Sequence, residues 1–263
     1  MSAHGSPLAA ARAQLGLIAL LLALAAVAWW STADRMAGMD EGPGTALGAL
    51  GWFLGVWAVM MAALMFPSAA PTVALYARMS HRRAPAGPLF FAAGYLLTWT
   101  AAGLLAYAVF DLGRAVLGDE LAWDGAGRWV AGGTLVVAAA YELTPLKDAC
   151  LSKCRSPLGF LVGSWREGLT GAVSMGARHG AWCVGCCWAL MAALFALGVM
   201  SVAWMALVAA LVALEKILRW ERTTYAVALI LLVLGVLLIA APDSVPGLVV
   251  PGDGAPADSM SMD

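Results

Sequence analysis

Seven stretches of nearly unbroken apolar residues alternate with short polar connections, near 15 to 33, 46 to 66, 88 to 110, 128 to 146, 180 to 198, 201 to 218 and 224 to 241. Each helical residue advances about 1.5 Å, so about 20 of them cross the roughly 30 Å of hydrocarbon in a bilayer. The pattern predicts an all-α fold, a polytopic transmembrane helical bundle of about seven helices. The apolar run from Ala181 to Leu214 is broken only by Gly198 and Ser201. It is too long for one ordinary span, which predicts a tight hairpin there. The first stretch also has the form of a signal peptide, with Arg12 ahead of an apolar core and Ala26-Val27-Ala28 as a small-x-small cleavage site. Trp29 and Trp30 instead suit an interfacial anchor at the end of a retained span.

Composition agrees with a bilayer as solvent. Of the 263 residues 62% are hydrophobic and 12% charged, against about half and about a quarter in soluble domains. The net charge of -1 gives no basic stripe for a nucleic acid. Net charge conceals an asymmetry between loops, however. With the N-terminus inside, Arg12, Arg78, Arg82, Arg83, Lys147, Lys153, Arg155, Arg166, Arg178, Lys216, Arg219 and Arg222 collect on one side, and only Arg35, Arg114 and Arg128 on the other. The positive-inside rule then predicts a multi-pass protein of the bacterial inner membrane, N-terminus inside and C-terminus outside. Residues 1–14 form a cytoplasmic segment, 15–241 a single membrane domain, and 242–263, rich in Pro, Gly and Asp, a disordered external tail.

This orientation puts all five cysteines near the cytoplasmic face, where thiols stay reduced and structural disulfides are not expected. Cys150 and Cys154 follow the fourth stretch. If their segment is helical, a spacing of four stacks them one turn apart on one face. His179, Cys183, Cys186 and Cys187 fall within roughly 100 degrees of arc at the start of the fifth stretch, forming one stripe. Met175 and Met191 extend it. Clustered thiols with a histidine suit a soft ion, and methionine thioethers shift the choice toward copper(I), with zinc as the other candidate. Met60, Met61 and Met65 lie in the cytoplasmic half of the second stretch, while Met36 and Met39 lie outside beside Asp40 and Glu41.

Glu142 is costly near hydrocarbon, which makes it a candidate accessory ligand or proton carrier, or else an ion-pair partner of Lys147. Glu215, Lys216, Arg219, Glu221 and Arg222 read as a helix end anchored by local ion pairs.

Three motifs carry a resemblance. They are Tyr141-Glu142-Leu143-Thr144-Pro145-Leu146-Lys147 through Cys150, Cys154, Arg155, Ser156 and Pro157; Met60-Met61 through Met65-Phe66-Pro67-Ser68; and Gly180 through Cys183, Gly185, Cys186, Cys187, Trp188 and Met191. Together, over roughly residues 45 to 235, they resemble the bacterial predicted metal-binding integral membrane proteins, the domain-of-unknown-function family numbered 2182. The resemblance implies a polytopic helical fold and metal binding. Family members often carry glutamine where Glu142 stands.

The residues and the resemblance point to a membrane protein that binds a soft metal ion through a Cys/His/Met cluster, for transport across the membrane or delivery to a metallochaperone or membrane metalloenzyme. Met36 and Met39 would form an outer station for the metal. Two other functions fit the same residues. One is a membrane dithiol oxidoreductase acting through Cys183 and Cys186 or Cys150 and Cys154. The other is an assembly scaffold whose metal only fastens helices together. No catalytic residue is assigned.

Overall fold

The computed structural model describes residues 7–36, 48–80, 85–117, 126–197, 201–218 and 220–244. These form α1 (Pro7–Met36), α2 (Leu50–Ser80), α3 (Gly87–Leu117), α4 (Arg128–Glu142), α5 (Pro145–Arg155), α6 (Pro157–Ser164), α7 (Gly168–Leu197), α8 (Val202–Ile217) and α9 (Glu221–Ala240), followed by a 3-10 turn, Pro242–Ser244. The described residues contain no strand. Each predicted apolar segment is helical over most of its described residues, and α7 ends at Leu197 and α8 begins at Val202, on either side of the expected hairpin.

Among the described residues, five helices are long and apolar enough to cross a membrane, and α4 with α5 would make a sixth span, bent by 69°. This marks the chain as a membrane protein, and the expected bundle of about seven helices is approximate beside these five or six. α8 falls short of a crossing length, its 16 described residues covering only about 24 Å.

Several helices outrun their predicted bounds. α2 continues through Pro67 and Pro71 to Ser80, past the predicted end at 66. Inside a helical bundle, neighbouring groups can take up the backbone partners that proline leaves free. α7 starts at Gly168, twelve residues before the predicted start at 180. α1 starts at Pro7, within the segment read as a cytoplasmic N-terminus.

The bend between α4 and α5 has a local cause. Thr144 is extended (φ -86, ψ 145) and caps α5, its side chain accepting a hydrogen bond from the Lys147 backbone N–H at 3.3 Å, with Pro145 in the first turn. A residue before proline is pushed out of the helical region, and proline fits the first turn of the next helix.

α7 packs against α3, α4, α5 and α8. Glycines set the closest approaches. A Cβ on Gly94 would run into the Val173 backbone, and one on Gly176 into the Phe91 carbonyl, so α3 and α7 meet backbone to backbone. α4 and α9 meet in the same way, where a Cβ on Gly235 would lie 2.9 Å from the Gly132 carbonyl. Small residues at such crossings are how helices gain packing in lipid, where the hydrophobic effect does not drive them together. Trp57 donates its indole N–H to the Trp99 carbonyl at 2.8 Å and ties α2 to α3. The large apolar side chains left outside, among them Leu105, Val116 and Ile217, suit a surface covered by lipid.

Candidate metal centre

The thiols converge from two helices. α5 brings Cys154 and α7 brings Cys183 and Cys186, and the three sulfurs all lie within 4.8 Å of one another. Cys154 Sγ and Cys186 Sγ are 3.8 Å apart. A metal bonded to three sulfurs in a plane at about 2.3 Å would hold them about 4.0 Å apart, so this spacing suits a soft ion. The five cysteines are free. Cys183 and Cys186 are almost wholly buried, while Cys154 is partly exposed.

Cys183 is the hub of the group. The Tyr95 hydroxyl of α3 lies 3.0 Å from its sulfur, Met65 Sδ of α2 4.0 Å, and Lys216 Nζ of α8 3.1 Å. The same ammonium donates to Ser68 Oγ at 3.0 Å and lies 3.9 Å from Met65 Sδ. Ser68 is held in place by donating to the Met65 carbonyl at 2.9 Å. Three helices, α2, α3 and α8, therefore present groups to one sulfur atom carried by a fourth, α7.

The other predicted residues lie around this group. Cys187 donates to the Cys183 carbonyl at 2.8 Å, as Cys186 does at 3.1 Å. Cys150 packs on Gly185, where a Cβ would come within 2.7 Å of its sulfur. The segment of Cys150 and Cys154 is helical, as expected, but only Cys154 joins the three-thiol group. His179 is buried in an aromatic cage, its ring 5.0 Å from Phe160, 5.8 Å from Tyr95 and 6.0 Å from Phe91, and its Nδ1 has no hydrogen-bond partner. Met60 and Met61 are buried in the core. The side chain of Met36 and all of Met39 lie outside the described residues.

Cys183 stands fifteen residues after the first residue of α7 and fourteen before the last. The stripe is therefore in the middle of its helix, not at the start. The longer α7 moves it there.

Glu142 lies in a buried ion triad. Lys147 Nζ donates to both carboxylate oxygens of Glu215 at 2.7 Å and also contacts the Glu142 carboxylate. The three side chains are at most 2% exposed. Arg155, next to Cys154, donates to the Glu215 carbonyl and, at 3.0 Å, to the Leu218 carbonyl, fastening the end of α8 to α5. Lys147 and Lys216, expected among loop charges, therefore point into the protein. Sequence reasoning gave Lys216, Ser68 and Tyr95 no part at the thiols. The one available signal was Gly94 beside Tyr95, a marker of close helix approach.

The profile of a family described as PpoB2, copper chaperone, matches residues 54–238. The chain belongs to this family of copper chaperones. The matched stretch contains all five cysteines, His179, Met60, Met61, Met65 and Lys216, and leaves out Met36 and Met39. No curated protein and no solved structure matched the chain. Family and thiol group together support binding of a soft metal such as copper.

Proposed function

We propose that this copper chaperone carries copper(I) on Cys154, Cys183 and Cys186 within the membrane and passes it to a metallochaperone or a membrane metalloenzyme. The convergence of three thiols from α5 and α7 carries the reading. Each thiol that binds releases its proton. Thioether and thiolate favour copper(I) over hard cations, and zinc is the competing cargo. Met65, 4.0 Å from Cys183 Sγ, is a further sulfur beside the group. Cys150, Cys187, Met60, Met61 and His179 are further candidate ligands, and Met36 and Met39 an outer station. Arg178, exposed on α7 five residues before Cys183, supports a site within about 8 Å of one membrane face. Loop cations make that face the cytoplasmic one in the inner membrane. The finer likeness to the family numbered 2182 belongs to the same proposal.

The test is copper(I) bound by purified protein under reducing conditions, with X-ray absorption to count sulfur ligands. Cys154→Ser, Cys183→Ser and Cys186→Ser should each remove one sulfur and weaken binding at least tenfold, a loss of about 1.4 kcal/mol or more. Cys150→Ser and Cys187→Ser should leave the sulfur count unchanged. A wild-type protein that binds no copper(I), or binds it equally well without Cys183, would sink the proposal.

A further inference from the structure

Lysines near the end of a membrane helix ordinarily extend their ammonium toward the headgroups and water. Lys216, in the last turn of α8, turns inward instead. Its Nζ reaches Cys183 Sγ at 3.1 Å and is steadied by Ser68 Oγ at 3.0 Å on α2. The buried lysine, Lys147, is committed to Glu215 and Glu142. Among the described residues, Lys216 is the lysine in hydrogen-bond contact with a sulfur of the three-thiol group.

Three thiolates around a monovalent ion leave two negative charges in a setting where charge is poorly solvated. A divalent ion leaves one. The cost of assembling the full thiolate set is thus greatest for the monovalent cargo, and a cation fixed beside one sulfur reduces it.

We propose that Lys216 is the built-in counter-charge of the thiol site, allowing three sulfurs, rather than two, to close on copper(I). The role rests on the copper-site reading above. Lys216 touches the ligand, not the metal, and acts through Cys183. Without the ammonium, the site holds the ion between two sulfurs rather than three, where less negative charge is gathered. The positive charge of Lys216 matters more than the length of its side chain, so arginine can replace it in part and a neutral side chain cannot.

The experiment uses full-length protein in detergent or nanodiscs. Copper(I) affinity is measured by competition with a chromogenic chelator, and sulfur number by X-ray absorption, for wild type, Lys216→Gln and Lys216→Arg. K216Q should weaken binding at least tenfold and lower the sulfur count from three to two, and K216R should retain three sulfurs and most of the affinity. Equal affinity and three sulfurs in K216Q overturn the counter-charge role alone, leaving the thiol site standing. Tighter binding in K216Q overturns it too and makes the ammonium a competitor of the metal. A wild-type protein that takes up no copper(I) removes the thiol-site reading and this role together. Should K216Q not fold, Lys216→Leu, apolar and at home in a helix wall, takes its place with the same readings. If neither folds while K216R does, the ammonium is a structural tie between α8 and α2, and the proposal is overturned.

Discussion

Replacing Lys147 with methionine should be among the most damaging single changes in this protein, and the buried triad lets the size be worked out. Lys147 Nζ holds both oxygens of Glu215 at 2.7 Å and also contacts Glu142, with all three side chains at most 2% exposed. At an effective dielectric near 20, one pair of unit charges about 4 Å apart is worth about 4 kcal/mol. Breaking a buried pair by removing one partner typically costs about 3–5 kcal/mol, because the remaining charge is stranded. Lys147→Met strands two carboxylates, so a loss near the upper end of that range is expected, a shift of about a thousandfold or more in the folding equilibrium.

The triad need not be stabilising as a whole. Replacing a buried ionic group entirely by neutral residues of similar volume is often neutral or favourable. Lys147→Met combined with Glu142→Gln and Glu215→Gln should therefore recover most of the loss, to within about 1.5 kcal/mol of wild type. The assay is reversible unfolding in mixed micelles with a rising fraction of denaturing detergent, followed by circular dichroism. A single Lys147→Met variant within about 1 kcal/mol of wild type, or a triple variant no better than the single, would show that the buried charges are not coupled as described.

Two further outcomes follow from the helix contacts. Gly176→Ala places a Cβ against the Phe91 carbonyl of α3 and should cost about 1–3 kcal/mol by overpacking in the same unfolding assay, whereas Ala at Gly133, which has open space, should change little. Tyr95→Phe removes the hydroxyl 3.0 Å from Cys183 Sγ. One hydrogen bond of about 1 kcal/mol predicts roughly a fivefold change in copper(I) affinity with the sulfur count intact, and an unchanged affinity would remove Tyr95 from the site.

The helical architecture was legible because lipid imposes a simple demand, long apolar runs with charge at their ends. The break near Gly198 and Ser201 was readable for that reason. Helix length was less legible, since Pro67 and the polar residues around Arg178 mark ends only when no neighbouring helix supports the backbone. The thiol stripe on α7 was visible as periodicity. What periodicity could not supply was the rotation of α5 against α7, which brings Cys154 beside Cys186 and leaves Cys150 on Gly185. Lys216 was the hardest to place. A lysine at a helix end reads as an anchor in water, and only the packing of α8 shows that this one turns inward, whereas Lys147 was already a possible partner of Glu142. Glu142 was better signalled, as a carboxylate that hydrocarbon would not tolerate without a partner.

The three-thiol group joins Cys154 to Cys186, 32 residues further along the chain. During synthesis α5 emerges before α7, so a chain that has made only the first of these segments has no complete site. If copper(I) binds there as proposed, its capture waits until α7 has been inserted and α5 has docked on it, so loading with metal follows folding rather than preceding it.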